Sequence, residues 1–241
     1  MADFQELWPD GPVFAQAAHA KLGTDSVLLA DFVRPERASK GVDLGCASGI
    51  LCLLLLERAP KLQMTGLELL PEAAALAQEN LARNGLQERG RVLRGDIREH
   101  RQLFSAGSFD LVVANPPYYP LESGALSPDP ARAAARGEVC CSLEEVCAAA
   151  AWLCRSGGRV CVVYKPERLT DLFCRLRDCG IEPKRLRMVC SRPEKAPSLV
   201  LVEGRRDGRP GLTVEPTLFL QDESGGESAE YSRIYHRKRQ P

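Results

Sequence analysis

Short apolar runs recur along this chain, each closed by glycine, asparagine or an acid, with stretches of helical periodicity between them. Residues 40–45, 62–68, 91–95, 109–114 and 159–164 read as strands, because they are short, apolar and bounded by turn formers. Residues 24–33, 49–58, 71–83 and 142–154 read as helices. Thr24 or Asp25 stands near the cap of the first, with Val27, Leu28, Leu29 and Phe32 on its apolar side. Pro71-Glu72 opens the third and Asn84-Gly85 stops it. Ser142 with Glu145 makes a capping box for the fourth. Gly157-Gly158 turns into the strand at 159–164, and Pro166 begins a helix that ends at Cys179-Gly180. Strands near 184–191 and 198–204 follow. Alternating strand and helix predict an α/β fold with a doubly wound, mostly parallel sheet.

Four successive strands end in polar side chains. The first runs into Gly45-Cys46-Ala47-Ser48-Gly49, a glycine turn ahead of a helix, and carries Asp43. This is not the dinucleotide fingerprint, and no Gly-Lys-Ser/Thr follows that would grip phosphate. The second strand ends in Glu68, where an acid commonly takes two ribose hydroxyls. The third ends in Asp96, placed to accept from an adenine amine. The fourth ends in Asn115-Pro116-Pro117-Tyr118. Each proline fixes its own φ and extends the residue before it, so the loop holds carbonyls and the Asn115 amide in a preset array. Such an array suits a planar nitrogen nucleophile: Asn115 and the Pro116 carbonyl would accept its two N–H bonds, and Tyr118 would stack on its face. Taken alone, the tetrapeptide fits a proline-rich turn equally well. Each acid alone fits a cap or surface charge. The ordered set points to the ligand-binding edge of an open α/β sheet.

This set resembles class I S-adenosylmethionine-dependent methyltransferases, from about Phe14 to the C-terminus. The resemblance implies a seven-stranded, Rossmann-like sheet whose last strand, 198–204, runs antiparallel. It implies S-adenosyl-L-methionine as cofactor, with Gly45, Cys46, Ala47 and Gly49 bordering its methionine part. Asp43 would support the loop or the cofactor's amino group, Glu68 with Leu69 the ribose, and Asp96 with Ile97 the adenine. Thr24, Asp25 and Asn115 would complete that pocket. Ala47 departs from the family's usual glycine, a change that a negative φ would tolerate.

The run Lys21-Leu22-Gly23-Thr24-Asp25-Ser26-Val27-Leu28-Leu29-Ala30 is similar to bacterial tRNA1(Val) adenine-37 N6-methyltransferases. So are Asn115-Pro-Pro-Tyr-Tyr with Pro128, Arg132, Arg136 and Glu138, and the ending Tyr231-Ser232-Arg233-Ile234-Tyr235. Lys165-Pro166-Glu167-Arg168-Leu169 departs toward a Gram-positive-type branch. The expected activity is in-line methyl transfer to an adenine exocyclic amine in tRNA, without metal or covalent intermediate. Pro116, Pro117 and Tyr118 would serve catalysis with Asn115, and Tyr119, Arg132 and Arg136 would hold the substrate from the long 119–141 loop. The alternatives are a release-factor glutamine N5-methyltransferase, a ribosomal RNA methyltransferase and an inactive RNA-binding scaffold. About forty residues before the first core strand are too few for the helical domain of the glutamine-modifying enzymes. We expect one domain, with an N-terminal segment at 1–38, a catalytic core at 39–206 and an extension at 207–241.

Composition changes this picture little. The 241 residues carry 32 basic and 32 acidic side chains, so no global field draws the chain to nucleic acid. From Lys184 onward, twelve Lys/Arg face eight Asp/Glu, a net of +4 that includes Arg205, Arg206, Arg209, Arg233, Arg237, Lys238 and Arg239. We read this as a local basic patch for structured RNA, against the plainer reading of a solvated tail. Ten cysteines form no Cys-x-x-Cys pair and sit mostly among apolar neighbours, as reduced thiols do. His19, His100 and His236 stand far apart in sequence, and no metal site is expected. With no leader and no long uncharged apolar stretch, a cytoplasmic location is the expectation.

Overall fold

In the computed structural model, residues 2–16, 23–116 and 141–236 are described. Two short strands, β1 (Gln5–Glu6) and β2 (Val13–Phe14), pair antiparallel ahead of α1 (Thr24–Phe32). The core then alternates: β3 (Lys40–Leu44), α2 (Ile50–Arg58), β4 (Gln63–Glu68), α3 (Pro71–Arg83), β5 (Gly90–Arg94), α4 (His100–Leu103) and β6 (Phe109–Ala114). After it come α5 (Leu143–Leu153), β7 (Cys154–Tyr164), α6 (Leu169–Asp178), β8 (Ile181–Cys190), β9 (Pro197–Arg206), β10 (Thr213–Phe219) and α7 (Ala229–Ile234). The main sheet has the order β5-β4-β3-β6-β7-β9-β8-β10. β9 is antiparallel to both of its neighbours, and the other pairs are parallel.

The expected doubly wound fold is present, with its antiparallel strand at the expected place. Its strand count needs correcting from seven to eight. The added strand, β10, lies on the edge beside β8 and bulges between Glu215 and Leu218, which is how an edge accommodates Pro216. Two smaller expectations also change. Gly157-Gly158 is not a turn before a strand but part of a bulge inside β7, where Phe109 pairs with Cys154 and Leu111 with Arg159. The cap of α1 is Gly23 itself, immediately ahead of Thr24 and Asp25. The capping box at Ser142 and Glu145 is as expected, at 3.2 and 2.8 Å.

Side-chain alternation along the strands separates two apolar layers. Leu111, Val113, Cys161, Val163 and Leu201 face α1 and α2, while Val112, Ala114, Val160, Val162 and Val202 face α5 and α6. Two asparagines bind the N-terminal segment to α3. Asn84 exchanges two bonds with the backbone of Val13, at 2.9 and 2.7 Å. Fully buried Asn80 does the same with Ala15 and also donates to the Ser48 carbonyl, at 2.8 Å.

The far edge is held by charge. Arg185 on β8 lies between Glu203 on β9 and Glu215 on β10, and also donates to the Phe32 carbonyl. Its side chain is only 11% exposed. Removing one member of such a group strands the others in a poorly solvated place. Arg185→Ala should therefore lower the unfolding free energy by about 3 kcal/mol, read from the urea midpoint at unchanged m-value. A loss below about 0.5 kcal/mol, the range of exposed pairs, would mean that water already screens both acids.

Candidate active site

The strand order reverses between β3 and β6. From β3 the chain steps outward through β4 and β5, then returns to the other side of β3 as β6. A crevice opens at the carboxyl ends of two strands that diverge in this way. Leu44 pairs with Ala114, so the loop after β3 and Asn115 after β6 leave the sheet side by side.

The β3 loop is a tight device. Gly45 and Cys46 both donate to the Leu67 carbonyl, at 2.9 and 3.1 Å, and Gly49 donates to Cys46 at 2.7 Å. Gly49 has φ +82°, and a Cβ there would lie 3.0 Å from the Ala77 side chain, so α2 and α3 approach as only glycine permits. Ala47 has φ +47°. The negative φ that would have made its methyl harmless is absent; the residue sits in the left-handed region at a cost of roughly 1–2 kcal/mol. What holds it there is Glu68, whose Oε2 accepts from the Ala47 N–H at 2.8 Å while Oε1 accepts from Leu70 at 2.8 Å. Glu68 and half-buried Leu69 thus lie at the end of β4, against the loop.

Asp43 is buried beneath this loop, and its Oδ1 has no partner among the described residues. Burial first, and the Glu68 charge second, push its carboxyl up to about 8. Cys46 turns its thiol into the core, where burial raises it well above the ordinary thiol range. Only its backbone can border a ligand. Ile97 brings a methyl to 3.9 Å from the position of a Gly45 Cβ, so these two expected neighbours do meet. Asp96 caps the turn at Ile97–Glu99, accepting from the Arg98 N–H at 2.8 Å, and its carboxylate is also gripped by the Arg98 guanidinium. That grip holds Asp96 below the usual carboxylate range.

On the other side of the crevice, the Asn115 Nδ2 donates to the Ser26 Oγ at 2.9 Å. Sequence reasoning missed Ser26; its only signal was adjacency to Thr24-Asp25. Thr24 instead meets the Tyr235 phenol, which burial raises above its ordinary range. Pro116 is buried next to Asn115. Pro117, Tyr118, Tyr119, Arg132, Arg136 and His19 lie outside the described residues.

Of the basic residues counted from Lys184 onward, several are directed elsewhere or already paired. β9 runs antiparallel, and Arg205 pairs with Arg159 while Val200 pairs with Tyr164. Five residues of strand, roughly 17 Å, therefore separate Arg205 from the sheet edge that carries Asn115. Arg206 is paired with Asp207, Arg187 with Glu230, and Arg233 with Asp31. Arg237, Lys238 and Arg239 lie outside the described residues. No group of three or more His, Cys, Asp or Glu that could hold a metal occurs among the described residues. No helix among them is long and apolar enough to cross a membrane.

Solved methyltransferases share this architecture. A predicted O-methyltransferase from Agrobacterium tumefaciens superposes with a TM-score of 0.71 at 21% identity, covering 88% of this chain and 96% of that one. Geranyl diphosphate methyltransferase in complex with S-adenosylmethionine gives 0.54 at 14% identity, covering 75% and 84%. With its strand-end acids and glycine loop, the molecule is an S-adenosylmethionine-dependent methyltransferase. More narrowly, the chain belongs to the methyltransferase small domain family, whose model matches residues 6–127. Relatives include the tRNA1(Val) (adenine(37)-N6)-methyltransferases of Porphyromonas gingivalis and Tolumonas auensis. The first is 30% identical over 89% of this chain and 86% of its own length; the second is 33% identical over 88% and 86%. The resemblance read from the sequence is thereby borne out.

Two outcomes follow from the loop. An acid whose folded value lies near 8, above 3.8, keeps a proton when folded that it loses when unfolded. Stability of the ligand-free protein should therefore fall as pH rises through that window, and Asp43→Asn should flatten the fall. Urea midpoints at about pH 5 and about pH 8 measure this; an equal slope in both proteins would show that Asp43 is already ionised. Ala47→Gly should raise stability by about 0.5–1 kcal/mol, because it relieves the left-handed alanine. Loss of stability in the same titration would contradict the strain.

Proposed function

We propose that this chain methylates the exocyclic N6 amine of adenine in tRNA, with adenine 37 of the tRNA1(Val) class as the target. The names of its relatives support the substrate. The placement of the Asn115 amide at the switch point, beside the β3 loop, carries the chemistry.

The residues around the β3 loop fit the cofactor. The unpartnered Asp43 Oδ1 would take the ammonium of its methionine part. The N-terminus of α2 begins without a side-chain cap and would face the carboxylate. Each Glu68 oxygen accepts one backbone bond and keeps a second lone pair for a ribose hydroxyl. Asp96 and Ile97 would border the adenine, with Arg98 sharing or yielding the Asp96 carboxylate. When bound, S-adenosylmethionine supplies a methyl group already activated by its sulfonium.

The acceptor half would work by positioning. The Asn115 Oδ1 and the Pro116 carbonyl would accept the two N–H bonds of the target amine, with Tyr118 stacked on its ring. Those bonds strengthen as the nitrogen pyramidalises, which favours the transition state over the ground state. Pro117 would keep the loop extended, and Tyr119, Arg132 and Arg136 would hold the surrounding RNA. Such a substrate would be met in the cytoplasm.

The test supplies purified protein and labelled cofactor with bulk tRNA, ribosomal RNA and release factors separately. Label should enter tRNA, and Asn115→Ala should lower kcat by about 100-fold, the scale of one transition-state hydrogen bond, at nearly unchanged cofactor affinity. Label in release factor alone would transfer the assignment to glutamine modification.

A further inference from the structure

We infer that Ser26 is a positioning residue that fixes the Asn115 amide in its working orientation. This rests on Asn115 as the acceptor-binding group. The terminal torsion of an asparagine is broad and roughly two-fold, so the strand alone leaves the amide plane poorly fixed. The Nδ2 donates to the Ser26 Oγ at 2.9 Å across 89 positions of sequence. With the nitrogen turned to α1, the oxygen is turned away from it, as an acceptor for an amine proton must be. A nitrogen in that place would present N–H to N–H and repel the substrate.

A hydroxyl donates as well as accepts, so the bond fixes the plane of the amide rather than telling its two ends apart, and it can do so because it stands on a fixed helix. Ser26 is buried in the first turn of α1, and Val27, Leu28, Leu29 and Phe32 of the same helix are buried in the core. Arg233 of α7 grips Asp31 with two bonds of 3.1 Å. Tyr235, just past α7, bonds the Thr24 side chain at the other end of α1. Arg58 of α2 donates to the carbonyls of Ala30 and Val33. Arg58, Arg233 and Tyr235 thus hold the helix that holds the amide.

The experiment measures kcat, acceptor and cofactor KM, and Tm for Ser26→Ala, Ser26→Thr, Asn115→Ala and the Ser26→Ala/Asn115→Ala double variant. Alanine is a good helix former, so α1 survives the first change. We expect kcat to fall about tenfold in Ser26→Ala, with cofactor KM changed less than about twofold, as for one lost hydrogen bond. Ser26→Thr keeps the hydroxyl and should recover most of the rate. The double variant should be no slower than Asn115→Ala, since Ser26 acts through that amide. Wild-type kcat in Ser26→Ala, or losses that multiply in full in the double variant, overturns the inference. So does a fall in activity that only tracks Tm and is not recovered by threonine. The acceptor is whichever class the wild-type protein methylates, so an acceptor other than tRNA would change the function proposed above and leave this comparison intact.

Discussion

The pairing of Leu44 with Ala114 is the constraint on which the site depends. It sets the two innermost parallel strands in a register that ends both at the same level. Because the chain winds outward in opposite directions from this pair, their following loops diverge and leave a crevice. One wall is a backbone turn, built to approach a ligand closely. The other carries the Asn115 side-chain amide. A slip of one residue would turn Asp43 and Val113 to the opposite face and put Asp43 out of the loop's reach.

Within that frame, Glu68 does two things at once. Its carboxylate closes the β3 loop through the Ala47 N–H and opens α3 through the Leu70 N–H, so both turns are tied to the tip of β4. This explains how a left-handed alanine persists where glycine would be easier, since the strain is offset by a charge-assisted bond to the same residue. It also explains the state of Asp43. A second carboxylate close to Glu68, buried and with one oxygen unpartnered, favours its proton until a cation arrives. Burial, strain and charge are concentrated in one turn of backbone, as happens where a site is built before its ligand.

The core was legible in the sequence because every central strand is apolar on both faces and ends in a turn former. The position of the antiparallel strand came from family resemblance, not periodicity. β10 was not legible: Thr213-Val214-Glu215-Pro216-Thr217 is mostly polar, carries a proline and leaves Val214 exposed. Only a place on the sheet edge beside β8, with Glu215 paired to Arg185, makes it a strand. Pairing of this kind also engages part of the basic excess counted from Lys184 onward. Counting charges along the chain cannot show that Arg185, Arg187 and Arg233 are already engaged by acids distant in sequence, nor that an antiparallel strand carries Arg205 to the opposite edge.

Ser26 was hidden for a different reason. A serine in the first turn of a helix is ordinary, and nothing local distinguishes one that solvates a helix end from one that orients an asparagine 89 positions away. The distinction exists only after β3 and β6 have paired and α1 has packed across them. Strand-end motifs announce their chemistry because the reacting groups must be in fixed order along the chain. The groups that aim them need only be near in space. A methyltransferase acceptor site depends more on aim than on reactivity, since little beyond placement is asked of a nitrogen that attacks an already activated methyl. The residues most worth seeking are therefore those, like Ser26, that hold an amide by its unreactive end.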